Sequence, residues 1–258
     1  MSEPEGWTAL LLAGSRPAGD PLAEAHGAAV KALVPVAGAP MVTHPVRALL
    51  ASPAVREVVV LSQQPDLLAP LLPRDERLRH QVSSGTIAET LQMICDDPGT
   101  RLPLLVTTAD HVLLDGQMIA EFIRGADSAD VAVAMVEQGP LLTRFPDAQR
   151  TWLHFRGGAY SGANLFALTS PHAKAAIAEW RAVEQDRKKG WRVIAQFGLP
   201  LLLGAVLRLR TVHQTASALG RKLGLTLKVV ELSNPIAAVD VDKQADLALV
   251  EQIMAGQA

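Results

Sequence analysis

Five side chains in this sequence are of types, and in settings, that could do chemistry on a phosphate: Arg16, Lys31, Asp110, Asp240 and Asp242. Arg16 ends the run Leu12-Ala13-Gly14-Ser15-Arg16, a glycine-containing loop directly after the apolar stretch Ala9 to Leu12. A strand that stops in such a loop exposes backbone N–H groups that can surround phosphate oxygens. Arg16 and Lys31 would add the positive charge that a triphosphate requires. The same residues also suit an ordinary turn between a strand and a helix with solvated charges, so the loop has to be weighed together with the carboxylates.

Asp110 follows the apolar run Leu104 to Val106 and the residues Thr107-Thr108-Ala109. A carboxylate at the end of a buried strand can hold Mg²⁺ against phosphate oxygens, and it can equally cap a helix. Asp240 and Asp242 lie two apart in Ala238-Val239-Asp240-Val241-Asp242. If Ala237 to Val241 is extended, both carboxylates fall on one face, where they repel unless a cation or a basic group sits between them. The hydroxyl-rich turn Ser83-Ser84-Gly85-Thr86 offers hydrogen bonds to a nucleobase edge through Ser84, Gly85 and Thr86, or a cap to the helix that follows. Ser161, Gly162 and Asn164 could bind an acceptor molecule or form a hairpin turn. The histidines show no HxH or HExxH spacing, and the chain has neither a GxSxG elbow nor a GxxxxGK[ST] loop, which leaves a zinc hydrolase, a serine hydrolase and a P-loop NTPase without support.

These residues need a scaffold, and the apolar pattern supplies one. Ala9 to Leu12, Val58 to Leu61, Leu104 to Val106 and Val131 to Val136 are continuous apolar runs of the kind buried in parallel sheets. Between them lie helical patterns: Met41 to Ala51 with Val42, Val46 and Leu49; a helix after Thr86 with Ile87, Leu91 and Ile94; and Gly116 to Arg124. Gln63 to Arg79 is rich in proline and charge and carries no clear periodicity. Further on, Trp152 to Phe155 and Asn164 to Leu168 read as strands around a Gly/Ser turn, and helices are predicted over Pro171 to Gln185, Trp191 to Leu207 and His213 to Leu223. Leu227 to Leu232 and Ala237 to Val241 read as strands, and a last helix, Ala245 to Met254, is expected to bury Leu247, Val250 and Met254. Strands alternating with amphipathic helices predict an α/β fold with a mostly parallel sheet, whose ligands gather at the carboxyl ends of strands. The Gly14 loop, the Ser84 turn and Asp110 would all lie along that edge.

The 258 residues suffice for one such domain with a substantial core, and 49% hydrophobic against 19% charged residues marks a globular chain. The net charge of −2 gives no support to a nucleic-acid surface, so any phosphate site must be local. Cys95 is the single cysteine; it excludes an intrachain disulfide, fits a reducing compartment and falls on an apolar helical face where packing is its natural role. The first residues lack the apolar core of a signal peptide, and a cytoplasmic protein is expected. Val193 to Leu207 is apolar on nearly every side, lies beside Arg187-Lys188-Lys189 and is near Arg208 and Arg210. Such a helix packs as core, forms a homodimer contact or touches an anionic membrane surface; it is too short and broken to span a bilayer.

The order of the segments resembles the molybdenum-cofactor guanylyltransferase-like NTP transferases, relatives of the sugar-phosphate nucleotidyltransferases and cytidylyltransferases. The resemblance rests on LLLAGSRPAGDPLA, KALVPVAGAPMVTHPVRALL, TTADHVLL and VDVDKQADLALVEQI, in that order. It implies a Rossmann-like, three-layer α/β/α nucleotidyltransferase fold of GT-A type in one domain: an NTP-binding core over residues 1–138, an acceptor-side insertion over 139–234 forming a lobe over the sheet, and a return segment over 235–258. It implies that Arg16 and Lys31 are catalytic, gripping the triphosphate with Leu12, Ala13, Gly14 and Ser15. It further implies that Ser84-Gly85-Thr86 reads the base and that Asp110 and Asp242, with Asp240 beside them, hold Mg²⁺; Ser161, Gly162 and Asn164 lie outside the matching segments and stay candidates for the acceptor by residue type alone.

The activity so implied is Mg²⁺-dependent transfer of NMP from an NTP, GTP or CTP first, to a phosphorylated small-molecule acceptor with release of pyrophosphate. Two other readings stand beside it. A glycosyltransferase of the same fold would use an NDP-sugar, but Asp110-His111-Val112 lacks a DxD pair. A nucleotide-binding regulatory protein without catalysis would not need Arg16, Lys31 and both aspartates.

Overall fold

The computed structural model describes residues 6–15, 19–83, 85–185 and 209–257. Alternation of side chains along the first strand sets the layers. In β1 (Trp7–Leu12), Ala9 and Leu11 enter one apolar cluster while Leu10 enters another, because successive side chains point to opposite faces of a strand. Both faces of the sheet are therefore buried, and helices cover each.

Among the described residues, eight strands make the main sheet. Strand β4 (Val55–Ser62) pairs parallel with β1 and with β5 (Leu78–Val82), and β1 pairs parallel with β6 (Leu104–Thr108). Beyond β6 lies β9 (Gly158–Leu168), antiparallel to both β6 and β7 (Val131–Glu137), and β10 (Leu227–Glu231) pairs parallel with β7 at the far edge. The short β8 (Leu153–Phe155) joins β9. The two-stranded hairpin β2 (Pro35–Val36) and β3 (Ala39–Pro40) turns through Ala37 and Gly38, both at positive φ, the geometry of a two-residue hairpin loop. Strands β1, β4, β5, β6 and β7 run the same way, so their carboxyl ends share one edge. The mostly parallel α/β sheet is as expected.

One face of the sheet is covered by α1 (Pro21–Ala25), α2 (Thr43–Ala51), α3 (Pro65–Leu68), α5 (Gly116–Gly125), α6 (Gln138–Arg144) and α9 (Gln244–Met254), which bury Leu22, Val46, Leu68, Phe122, Leu141 and Val250. The other face packs under α4 (Ile87–Asp96), α7 (Ala173–Gln185) and the start of β10 after α8 (Val212–Leu223), through Leu91, Ile94, Ile177 and Leu225. Cys95 is half-buried against that second cluster, where burial pushes its thiol pKa up, in keeping with packing.

Several expectations need correction. Among the described residues of the 139–234 segment, β9 and β10 are strands of the sheet itself. The Gly/Ser stretch from Gly158 through Gly162 is part of β9, and the hairpin turns at Arg156-Gly157, where Gly157 has positive φ. Pairing with β8 over Gly158 to Tyr160 and with β7 over Tyr160 to Gly162 supplies hydrogen bonds that outweigh the weak strand preference of those glycines. Ala237 to Val241 is not a strand: Pro235–Ala238 forms a 3₁₀ turn, capped by the Asn234 side chain. The unassigned stretch 63–79 contains α3 and the approach to β5. Met254 is exposed at the end of α9, while Leu247 and Val250 are buried. The helix expected over Trp191 to Leu207, with Arg187, Lys188, Lys189 and Arg208, lies outside the described residues. Among the described residues no helix is long and apolar enough to cross a membrane.

Candidate active site

The carboxyl edge of the sheet is tied together by backbone hydrogen bonds between segments far apart in sequence. At the end of β1, Leu12 O accepts from Ala109 N at 2.9 Å, and Ala13 N donates to Leu61 O at 2.8 Å. The Gly14 loop thus starts between β4 and β6. Ser15 N donates to Gln63 Oε1 at 2.9 Å, and a Cβ on Gly14 would stand only 3.1 Å from the Gln63 amide, so glycine keeps this turn close to its neighbour. Gln63 was not singled out in the sequence; only the pairing of β1 with β4 brings it here. Asp20, at the loop's far end, caps α1 by accepting from Leu22 N and Ala23 N. Arg16 lies outside the described residues.

Lys31 opens a single 3₁₀ turn, Lys31–Leu33, stitched to the approach of α2 by Val42 N donating to Ala32 O and Met41 N to Val34 O. Val30, Ala32 and Val34 are buried around it, which points the Lys31 stem along apolar surface toward the strand ends. Its ammonium then meets two carboxylates: Asp110 Oδ2 at 2.7 Å and Asp242 Oδ1 at 2.6 Å. Burial alone would lower the Lys31 pKa, but attraction and hydrogen bonding to Asp110 and Asp242 outweigh it and hold the pKa above the ordinary lysine value.

Asp110 sits just past β6, with its other carboxylate oxygen accepting from Thr108 Oγ1. Asp242 comes from the opposite end of the chain, and Val241 N donating to Asp110 O at 3.1 Å brings it there. The buried Asp246 accepts from Asp242 N and Lys243 N at 3.2 and 3.1 Å, so the first turn of α9 fixes the loop from its other side.

Asp240 does not share a face with Asp242 as an extended strand would require. One of its carboxylate oxygens takes a salt bridge from Arg150, the other accepts from Asn164 Nδ2 at 2.9 Å, and its backbone carbonyl accepts from Arg150 at 2.9 Å. Burial pushes the Asp240 pKa up; Arg150 opposes that, and Asp110 and Asp242 add to it. Arg150 and Asn164 thus hold both Asp240 oxygens and make it an anchor for this loop, as Lys31 and Thr108 hold both oxygens of Asp110. Asn164, expected to face an acceptor, is turned to this anchor. It stands at positive φ where the β7–β9 register shifts, a conformation asparagine tolerates better than most residues. Ser161 is buried in β9, and Gly162 is exposed opposite Met135. Arg150, in the 145–152 connection, was not singled out in the sequence, and nothing in its local pattern marks it.

The base-reading turn is partly described. Ser83 N donates to Ser62 O, continuing the β4–β5 pairing, and Gly85 has positive φ. Thr86 caps α4 in a reciprocal box with Glu89, the structural role open to such residues. Ser84 lies outside the described residues. Next to Asp110, His111 is fully buried; desolvation lowers its pKa to about 4, against the opposing pull of Asp110 and Asp115, so it is neutral at physiological pH.

Two carboxylates gathered on one positive charge are the hard oxygen donors that Mg²⁺ takes, usually one or two at a time with substrate phosphates and water completing the shell. Among the described residues no three His, Cys, Asp or Glu side chains converge on one point. Asp110 and Asp242 therefore fit a divalent cation that draws its other ligands from substrate and solvent.

The model of the MobA-like NTP transferase domain matches residues 9–213. No curated protein matches the chain. Among solved structures, a hypothetical transferase from Thermus thermophilus is 26% identical, with a TM-score of 0.80 over 94% of this chain and 99% of its own. The 4-diphosphocytidyl-2C-methyl-D-erythritol synthase of Anaerococcus prevotii is 9% identical with a TM-score of 0.62, covering 97% of each chain. A CMP:2-keto-3-deoxy-manno-octonic acid synthetase solved with CTP is 12% identical with the same TM-score, over 98% of this chain and 100% of its own. The last two likenesses are ones of fold, the Rossmann-like arrangement described above.

Proposed function

The chain belongs to the MobA-like NTP transferases, a nucleotidyltransferase by family, and from that premise we propose that it transfers NMP from an NTP to a phosphorylated small molecule with release of pyrophosphate. The observation that carries this reading is the convergence of Asp110 and Asp242 on Lys31 Nζ, at 2.7 and 2.6 Å, at the carboxyl edge of the sheet.

An oxygen of the acceptor phosphate attacks the α-phosphorus, a new P–O bond forms, and the bond from the α-phosphorus to the bridging oxygen breaks as pyrophosphate departs. Little covalent work falls to the protein, so its contribution is positioning and charge stabilisation. Asp110 and Asp242 would hold Mg²⁺, which, when bound, offsets the charge gathering on the reacting phosphates. Lys31, whose ammonium has three donors, is held where it can pass from carboxylate to phosphate oxygens. Gly14 and Ser15 border the triphosphate from the end of β1, with Arg16 as the further cation, and Gly85 and Thr86 stand at the end of β5 as the base-facing turn.

The test is pyrophosphate release from CTP, GTP, UTP and ATP with Mg²⁺ and a panel of sugar, alcohol and carboxylic-acid phosphates. A thermal-shift screen comes first, because a nucleotide at ~100 times its Kd adds roughly 2.7 kcal/mol of stability. Release of free NDP from an NDP-sugar, with no pyrophosphate from any NTP, would replace this reading with glycosyl transfer.

A further inference from the structure

Asp240 has both carboxylate oxygens and its backbone carbonyl engaged, by Arg150 and Asn164. Arg150, with only 10% of its side chain exposed, binds both the Asp240 carboxylate and the Asp240 backbone carbonyl. From the same connection, Gln149 Oε1 accepts from Lys243 Nζ at 2.8 Å. Two consecutive residues of the 145–152 segment thus hold the two ends of the 240–243 loop, and Asp242 lies between those ends. Asn164, on the β9 register shift, holds Asp240 from the sheet side. Val241 N, next to Asp240, makes the hydrogen bond to Asp110 O that sets the loop against β6.

We propose that Arg150 is a positioning residue: by gripping the carboxylate and the carbonyl of Asp240 together, it fixes the 240–243 loop so that Asp242 meets Asp110 around a single cation. Asp242 needs such support because its own side chain is 53% exposed. A loop carrying an exposed carboxylate keeps it aimed only if its backbone is held, and a planar guanidinium, its donors fixed in one fork, grips a side chain and a carbonyl together more rigidly than a lysine does. The inference rests on the proposed function only in taking Asp110 and Asp242 as a pair that shares one cation.

The test uses the full chain and Mn²⁺ as a spectroscopic substitute for Mg²⁺, titrated by electron paramagnetic resonance with a saturating non-hydrolysable NTP analogue. Three variants are compared with the wild type: Arg150→Met, Arg150→Lys and the double variant Arg150→Met/Asp240→Asn. The double variant removes both the guanidinium and the charge it would strand, so it keeps the test open if Arg150→Met does not fold. Arg150→Met and the double variant are each expected to weaken Mn²⁺ binding at least about tenfold, with Arg150→Lys between them and wild type. Binding of the nucleotide analogue without metal is expected to change less than about threefold. A residue that merely stabilised the fold would lower the melting temperature and leave the Mn²⁺ affinity of the folded variants unchanged. That result overturns the proposal, and so does wild-type affinity in the double variant, which would reduce Arg150 to charge neutralisation. The two readings fail separately. Loss of Mn²⁺ affinity in the variants of a protein that releases no pyrophosphate keeps Arg150 as the positioner and removes the transferase reading. Unchanged affinity in a protein that does release pyrophosphate does the reverse.

Discussion

Charge gathers at both edges of the sheet, and the two gatherings are built differently. At the amino edge, where β1, β4, β5 and β6 begin, an open cleft of about 900 Å³ is lined by Arg56, Arg77, Arg79 and Arg101 with Glu57 and Glu76. Its arginines have near or backbone partners: Arg77 pairs with Asp75 two residues away and donates to Leu50 O, Arg56 donates to Thr8 Oγ1 and Arg101 O, and Arg79 pairs with Glu57 on the neighbouring strand. Arg79 is 73% exposed. At the carboxyl edge the charges come from positions 79 and 211 residues apart and meet with the Lys31 and Asp110 side chains only 15% and 18% exposed. Exposed pairs are screened and contribute little, whereas partly desolvated charges act strongly on whatever enters beside them. Screening by solvent is therefore weaker at Lys31 and Asp110 than at Arg79.

The largest effect that could break this comparison is at Asp110. Asp110→Asn keeps the size and removes the charge, and pyrophosphate release should fall on the order of 10²–10³-fold, the usual loss when one preorganised electrostatic group is removed from a reacting centre. A melting temperature within a few degrees of wild type would accompany it; undiminished turnover at saturating Mg²⁺ would take the chemistry away from this edge. Next is Lys31→Ala. Calorimetric titration should show CTP or GTP binding weakened about tenfold or more and the corresponding monophosphate changed less than about threefold, because charge-assisted contacts to the β- and γ-phosphates are lost. Equal losses for both would move Lys31 away from the pyrophosphate.

A third measurement sharpens the contrast through two histidines. His111 at the carboxyl edge has its pKa lowered by burial from 6.5 to about 4. The unfolded chain therefore takes up a proton on this ring as pH falls through 6.5 while the native state resists, so stability is fully present above that pH and is lost on the way down toward 4. Linkage puts the loss between pH 7 and pH 5 at about 2 kcal/mol. Urea unfolding at the two pH values should show it in wild type and not in His111→Gln. His80, at the other edge and only partly buried, has its pKa lowered in the same direction by the same cause; His80→Gln should flatten the acid dependence less. The smallest effect belongs to Arg79→Ala, expected to change turnover less than about twofold and stability by no more than about 0.5 kcal/mol, as for exposed substitutions in general. A large loss of turnover there would make the amino-edge cleft part of the site.

Much of the scaffold was legible because its strands are continuous apolar runs and its helices carry clear periodicity: β1, β4, β6, β7 and β10, and α2, α4, α5, α7 and α8, all fall where the pattern put them. The failures have a common physical origin. β5 reads Leu-Arg-His-Gln-Val and lies at an edge, paired among the described residues only with β4, so burial does not write an apolar run into it. The Gly/Ser half of β9 looks like a turn because glycine disfavours strands locally, and pairing on both sides overrides that preference. The Ala-Val-Asp-Val-Asp stretch alternates like a strand, but its valines are buried from a loop, Val239 and Val241 both at 0% exposure, and its aspartates part company.

The sequence by itself determined that a buried parallel sheet would end in a glycine-containing loop and a threonine-flanked aspartate, because burial and turn chemistry are written into neighbouring residues. It also put Lys31 and Asp242 among the candidates by residue type and order along the chain. Only the tertiary structure decided that Lys31 would stand between Asp110 and Asp242, that Asp240 would turn to Arg150 and Asn164, and that Gln63 would close on Gly14. Those partners are brought together by strand pairing and by packing across the sheet, and an ion pair between residues 211 positions apart leaves no local trace in either stretch.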